Sequence, residues 1–244
     1  FPFLTIYTRK KYNSHMDIIQ QLRKETNKEL PLTDRIFEDL LRDILTGKLA
    51  RDSWLTETKV CSMYGASRTP VREAFRRLEM DGLLEYIPKR GEYVRGFSYD
   101  ELIDMLNIRA DLEVRAVSWS IERITDDEME QFDDIFRYME FYTKKNDIHM
   151  MMYANSAFHR HIYKTSHDRM LDKTLTTYFN YCKYSCPPNY FAPKFLDKTL
   201  EERRRIYSAY LKKDVTSGAR AMKLHMSNTI KRAIANINLN IYEK

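Results

Sequence analysis

Between Ser67 and Arg95 the spacing of apolar residues changes once, at Gly82, and that change restricts what the stretch can become. Before it, Val71, Ala74, Phe75 and Leu78 recur at i, i+3, i+4 and i+7, the period of one helix face. Pro70 suits the first turn of that helix, where a missing amide proton costs nothing. After it, Leu83 to Ile87 reads as a strand, Pro88-Lys89-Arg90-Gly91 as a turn and Glu92 to Arg95 as a returning strand. Two further helical periods lie upstream. Thr33 is placed to cap a helix carrying Ile36, Phe37, Leu40, Leu41, Ile44 and Leu45, with Gly47 at its end. A short helix starts at Thr56, with Leu55 and Val60 spaced as a hydrophobic staple, and stops at Tyr64-Gly65. Three helices and a hairpin in this order predict a winged helix-turn-helix over residues 31–97.

Residues 98–244 read as helix after helix. Segments near 99–124, 126–145, 148–166, 168–185, 193–213 and 215–240 are separated by short polar breaks, which predicts an all-α helical bundle of six or seven helices. The expected fold is mainly α, with an N-terminal winged helix-turn-helix and a C-terminal all-α bundle. Residues 1–30 form an N-terminal extension without a clean period. Met16 after Ser14-His15 suggests a vector junction or a late start codon, so residues 1–15 are set aside from fold reasoning.

Composition narrows the class. Only 6 Gly and 7 Pro in 244 residues, with 43% apolar residues, argue against disorder and against a turn-rich all-β fold. No apolar run reaches the roughly 18–20 residues of a membrane span, and Arg9, Lys10 and Lys11 are not followed by an apolar stretch. Three cysteines, an odd number, suit a reducing compartment, so a cytoplasmic protein with no membrane partner is expected. The net charge of +6 is spread thinly, with 12 basic against 11 acidic residues in 31–97 and 23 against 21 in 98–244. A nucleic-acid role must therefore rest on where the cations sit.

They sit together. Arg68, Thr69, Arg72 and Arg76 fall opposite the apolar stripe of the third helix. Arginine can bind guanine O6 and N7 bidentately. Ser67 and Thr69, beside the open amides of the first turn, suit a phosphate oxygen. Lys89 and Arg90 stand at the hairpin tip next to Gly91, where backbone can approach a groove. A solvated helix face is the plainer reading of the arginines alone; the Gly65 turn and the tip cations favour DNA.

These residues also carry a family resemblance. Gly65-Ala66-Ser67-Arg68-Thr69-Pro70-Val71-Arg72-Glu73-Ala74, Asp81-Gly82-Leu83-Leu84 and Arg90-Gly91 closely resemble the winged-helix domain of GntR-family bacterial transcriptional regulators. The resemblance implies base and phosphate contacts by Arg68, Thr69 and Arg72 and minor-groove entry at Gly91. Some relatives use an arginine on the second helix, where this chain has Thr58 with Lys59 beside it. Residues 98–244 resemble the FCD effector-binding domain of the FadR-like branch, through Ile108 to Glu113, Asn155 to His159, Glu202-Arg203-Arg204 and Ala221 to His225. That implies an effector-binding and dimerisation domain, and so a homodimer reading a palindromic operator in double-stranded DNA.

The FCD resemblance implies four metal ligands, and at those positions stand Asn155, His159, Arg203 and His225. Arginine stays protonated and cannot be a ligand, so no metal cofactor is expected. Arg203 instead offers a guanidinium to a small carboxylate effector. Arg109 is a second anion contact by resemblance, with Asn155, His159 and His225 as hydrogen-bonding walls. The plainer reading makes the two histidines interior residues with satisfied hydrogen bonds.

Other chemistry is weak. Cys182 and Cys186 lack a matching second pair, and His159 and His161 do not share a helix face. His149 with Met150-Met151-Met152 is more often core, and the aromatics Tyr178, Phe179, Tyr181, Tyr184, Tyr190 and Phe191 suit packing. No phosphate-binding loop, dinucleotide fingerprint or nucleophile elbow occurs. The expected function is a ligand-responsive transcriptional repressor and not an enzyme. The rivals are the same regulator with an acyl-CoA effector, a sequence-indifferent DNA binder, and a helical metal-dependent hydrolase built on His159 and His225.

Overall fold

A computed structural model describes residues 30–185 and 193–236. The residues 1–15 set aside above, the rest of the extension to 29, and Cys186, Tyr190 and Phe191 lie outside the described residues. The chain divides into two compact units, whose described parts are 30–106 with 180–185, and 107–179 with 193–235.

In the first unit the order is α1 (Leu32–Leu45), β1 (Trp54–Leu55), α2 (Glu57–Tyr64), α3 (Arg68–Met80), β2 (Leu84–Ile87) and β3 (Gly91–Val94). The inner face of α3 is closed to solvent: Val71, Ala74 and Leu78 are fully buried and Phe75 nearly so. Each large aliphatic side chain buried in this way contributes about 1.5–3 kcal/mol. Ile36, Leu40, Leu41 and Ile44 of α1 supply the opposing surface. Arg77 ties the two helices at their edge, bonding Asp34 at 2.6 Å and lying 3.9 Å over the Phe37 ring. Thr56 caps α2 through the amide of Lys59, and Leu55 and Val60 are both buried, as a hydrophobic staple requires. Gly65 ends α2 with φ 58, a left-handed conformation that side chains disfavour.

Three local expectations need correction. Thr33 does not cap α1; Pro31 holds the N-cap position and no side chain caps the helix. The hairpin strands begin at Leu84 and Gly91, one residue from the positions expected at each. The sheet also has a third strand that the sequence did not suggest. Trp54–Leu55 pairs antiparallel with β3, Trp54 opposite Tyr93, giving the order β1-β3-β2. Two residues are too few to show an alternation.

The second unit is helical: the later part of α4 (Tyr99–Arg123), α5 (Asp126–Lys144), α6 (Ile148–Thr165), α7 (Arg169–Ser185, up to Phe179), α8 (Pro193–Leu211) and α9 (Val215–Asn236). Six helices among the described residues match the lower of the two expected counts. Thr125 and Glu128 form a full capping box at the start of α5. The core centres on Phe132, Phe136, Phe158, Tyr163, Leu175, Ile206, Met222 and Met226. Met150 and Met151 are buried, as core methionines are, and Cys182 is likewise closed to solvent. Among the described residues no helix is long and apolar enough to cross a membrane.

Gly91 is required by this fold itself. Its φ is 100, and a Cβ there would stand 2.6 Å from the Leu55 carbonyl oxygen of β1. Gly91→Ala should destabilise the first unit by about 1–3 kcal/mol. Urea unfolding followed by Trp54 fluorescence, in a Trp119→Phe background, checks this; an unchanged midpoint would contradict it.

Candidate nucleic-acid interface and buried polar cluster

Because the apolar stripe of α3 is consumed by the core, its opposite side must face water. Arg68, Thr69, Arg72 and Arg76 are all exposed there. Ser67 occupies the N-cap position of α3 without making a capping bond, so its exposed hydroxyl remains available. Lys59 and Thr58 are exposed on α2, and Lys89 and Arg90 at the hairpin tip. Lys89 takes a positive φ of 66, and the Arg90 guanidinium lies 5.5 Å over the Trp54 ring. The flank of Gly91 where a side chain would stand is filled by the Leu55 carbonyl, which accounts for the glycine without reference to a ligand.

Carboxylates placed among these cations were missed in the sequence. Glu57, the first residue of α2, lies 3.2 Å from Arg68 Nε through one oxygen and accepts a 2.7 Å hydrogen bond from Arg72 Nε through the other. The partners are 11 and 15 residues away, so no helical spacing announces the contact. Glu92 of β3 lies opposite Leu55 and Tyr86 in the sheet and is buried, hydrogen-bonded to Glu79 of α3. Its Oε2 has no hydrogen-bond partner among the described residues. Burial, the Glu79 hydrogen bond and the charges of Glu79 and Glu57 push the Glu92 carboxyl up to about 7.

In the second unit the residues from four helices converge on a buried polar cluster. Glu113 of α4 is fully buried. It bonds Arg109 one turn earlier at 2.9 Å, His159 Nδ1 of α6 at 3.1 Å, and the Tyr163 hydroxyl. Burial opposes its charge, but the Arg109 guanidinium and the hydrogen bonds from His159 and Tyr163 outweigh it and hold the carboxyl below the usual carboxylate range. The Arg109 guanidinium also lies 4.9 Å over the Phe179 ring. Arg109, expected as an anion contact, thus already has an anionic partner.

His225 of α9 repeats the pattern. Its Nδ1 is 2.9 Å from Glu202, whose carboxylate also takes both terminal nitrogens of Arg232 at 3.0 Å and the Asn228 amide at 2.8 Å. Burial lowers both imidazoles, His225 to about 3, so both are neutral at pH 7. With Nδ1–H donated to a carboxylate, each ring keeps an unprotonated Nε2. The two rings lie 5.6 Å apart, centre to centre. Arg203 of α8 is 1% exposed and donates to Asn155 Oδ1 and to the Thr199 carbonyl at 3.3 Å. His161 points elsewhere, onto the Glu128 carbonyl at 2.9 Å.

Asn155, His159, Arg203 and His225 therefore do share one region. This donor set does not fit a transition ion. Two imidazoles remain, the neutral amide oxygen is taken by a guanidinium, and that guanidinium would repel a divalent cation. Among the described residues no group of three or more His, Cys, Asp or Glu is placed to hold a metal.

Comparison with known proteins matches two families along the chain. Residues 32–94 match the profile of the bacterial regulatory proteins of the gntR family, and residues 104–228 match the FCD domain. The HTH-type transcriptional regulator YdhC of Bacillus subtilis is 26% identical over 207 residues, 83% of this chain and 91% of that protein. The HTH-type transcriptional repressor RspR of Escherichia coli is 25% identical over 205 residues, 83% of this chain and 89% of that one. The structure of E. coli McbR/YncC shares the fold with a TM-score of 0.67 at 22% identity, covering 84% of this chain and 98% of its own.

The raised Glu92 carboxyl has a pH consequence. A raised acid favours the folded state while protonated, so that stability is lost as pH rises through about 7. The unfolding midpoint of the first unit should fall between about pH 5 and about pH 8, and Glu92→Gln should level it. A flat wild-type profile would contradict the assignment.

Proposed function

Since the chain belongs to the GntR family of bacterial regulatory proteins and carries that family's FCD domain, we propose that it is a repressor that releases or grips its operator in response to a small carboxylate. That it is a transcriptional regulator follows from the family; the effector and the sign of regulation are our reading. DNA reading is assigned to Arg68, Thr69, Arg72 and Arg76 on α3, with Ser67, Lys59, Lys89, Arg90 and the Gly91 backbone on phosphates and the neighbouring groove. One α3 covers too few base pairs to specify a site alone, so a homodimer reading two half-sites fits the geometry. RspR, a repressor, supports the sign of regulation.

The observation that carries the effector reading is Arg203: a guanidinium, 1% exposed, beside Asn155 and two imidazoles held neutral. A fixed cation in a low-dielectric interior attracts a carboxylate far more strongly than one at the surface. A bidentate pair would also give the ligand an orientation. The unprotonated Nε2 atoms of His159 and His225 accept, so hydroxyl groups on the same ligand would be recognised there. Arg109, balanced by Glu113, contributes as a wall and a secondary contact. If the effector shifts operator affinity, the operator must shift effector affinity by the same factor.

Three measurements test this. Arg72→Ala should lose about tenfold to a hundredfold in operator affinity while the oligomeric state in gel filtration is unchanged. Arg203→Ala should leave operator affinity as it was and weaken calorimetric binding of small mono- and dicarboxylates by about tenfold or more. A carboxylate response unaffected by that change, or a thermal shift given by acyl-CoA alone, would retire the anion clamp. Elemental analysis should find no stoichiometric transition metal; one metal per chain would do the same.

A further inference from the structure

Glu57 sets a carboxylate among the cations of α3. It opens α2, and its side chain, 25% exposed, reaches across to α3. One oxygen meets Arg68 Nε at 3.2 Å and the other Arg72 Nε at 2.7 Å, so a single anion spans the two cations nearest the start of the recognition helix. Both contacts occupy Nε. The terminal nitrogens, which form the end-on fork for guanine O6 and N7, belong to side chains 74% and 66% exposed.

We propose that Glu57 is a specificity-determining positioning residue of this face, holding Arg68 and Arg72 side-on and cancelling part of their charge. The proposal rests on the assignment of α3 as the DNA-reading helix. Two consequences follow. Sequence-independent DNA is bound through phosphate charge, and Glu57 removes part of that attraction. Sequence-specific DNA is bound through guanidinium geometry, and Glu57 narrows the arcs through which both arginines can swing, so less freedom is lost on docking. The same carboxylate therefore weakens the unwanted complex and aligns the wanted one. An exposed pair of this kind contributes little to folding, so its effect should appear in DNA binding.

The full-length protein, Glu57→Gln, Glu57→Asp and Arg72→Ala would be titrated by fluorescence anisotropy at several salt concentrations. Two duplexes are needed: one of random sequence, and one enriched by the wild-type protein from a random pool. Glu57→Gln should bind the random duplex about threefold to tenfold more tightly. Its salt slope there should steepen by about one per protomer, the increment of one more phosphate contact. The enriched-to-random affinity ratio should drop about tenfold. Glu57→Asp keeps the charge but is shorter by one methylene, so the salt slope should stay at the wild-type value while the ratio falls. An unchanged ratio in both variants, or equal weakening on both duplexes, overturns the proposal. If Glu57→Gln lowers the unfolding midpoint, Glu57→Asp decides: a reduced ratio at wild-type slope supports the proposal and an unaltered ratio sinks it. Arg72→Ala separates the two levels, because a ratio surviving that change would refute the α3 assignment itself.

Discussion

The first unit depends on how completely α3 spends its apolar side. With Val71, Ala74 and Leu78 fully buried, the helix has one rotational setting about its axis. A rotation that brought Arg68, Arg72 or Arg76 inward would desolvate a guanidinium and expose an aliphatic side chain, and both changes are unfavourable. The orientation of the cationic row is therefore set by burial on the far side of the helix. The hairpin follows from the same packing. Leu83 and Leu84 are buried directly after α3, and β3 is held between β2 and the short β1. Close passage of Gly91 by the Leu55 carbonyl joins the tip to the chain entering α2.

In the second unit the controlling constraint is electrical. A fully buried carboxylate survives only if charge and hydrogen bonds replace the water it has lost. Glu113 meets that condition with groups from α4 and α6, and Glu202 with groups from α9. Each carboxylate also fixes the tautomer of a histidine. His159 and His225 are then not loose interior residues but oriented acceptors, whose protonation is suppressed by burial. Both earlier readings of these histidines contain part of this result: their Nδ1 bonds are satisfied, and their rings stand in the same region as Arg203.

The fold was legible because its main signals are periodic. The 3.6-residue stripe of α3, the change at Gly82 and the turn at Gly65 each act over a few neighbouring residues. The four positions of the buried cluster were legible only through family resemblance, since 155, 203 and 225 share no local spacing. Arg109–Glu113 could have been read from the i, i+4 rule for opposite charges. Glu57 with Arg68 and Arg72, and Glu79 with Glu92, could not. Each joins two separate elements, and the approach depends on packing that residue order does not encode. The two-residue strand β1 was hidden for a different reason, being too short to alternate.

Glu57 and Glu113 are the same side chain paired with arginine, and their surroundings give them opposite properties. At Glu113 exposure is 0%, so parting it from Arg109 would strand a charge in low dielectric. That pair is a permanent part of the fold. At Glu57 water reaches the arginines, and the attraction is screened by both solvent and salt. A phosphate or a guanine edge can therefore compete for the same guanidiniums without unfolding anything. Arg203 is as deeply buried as Glu113 and donates to the oxygens of Asn155 and Thr199. The depth of an arginine thus separates Arg109, locked into the interior, from Arg68 and Arg72, whose ion pairs lie open to solvent.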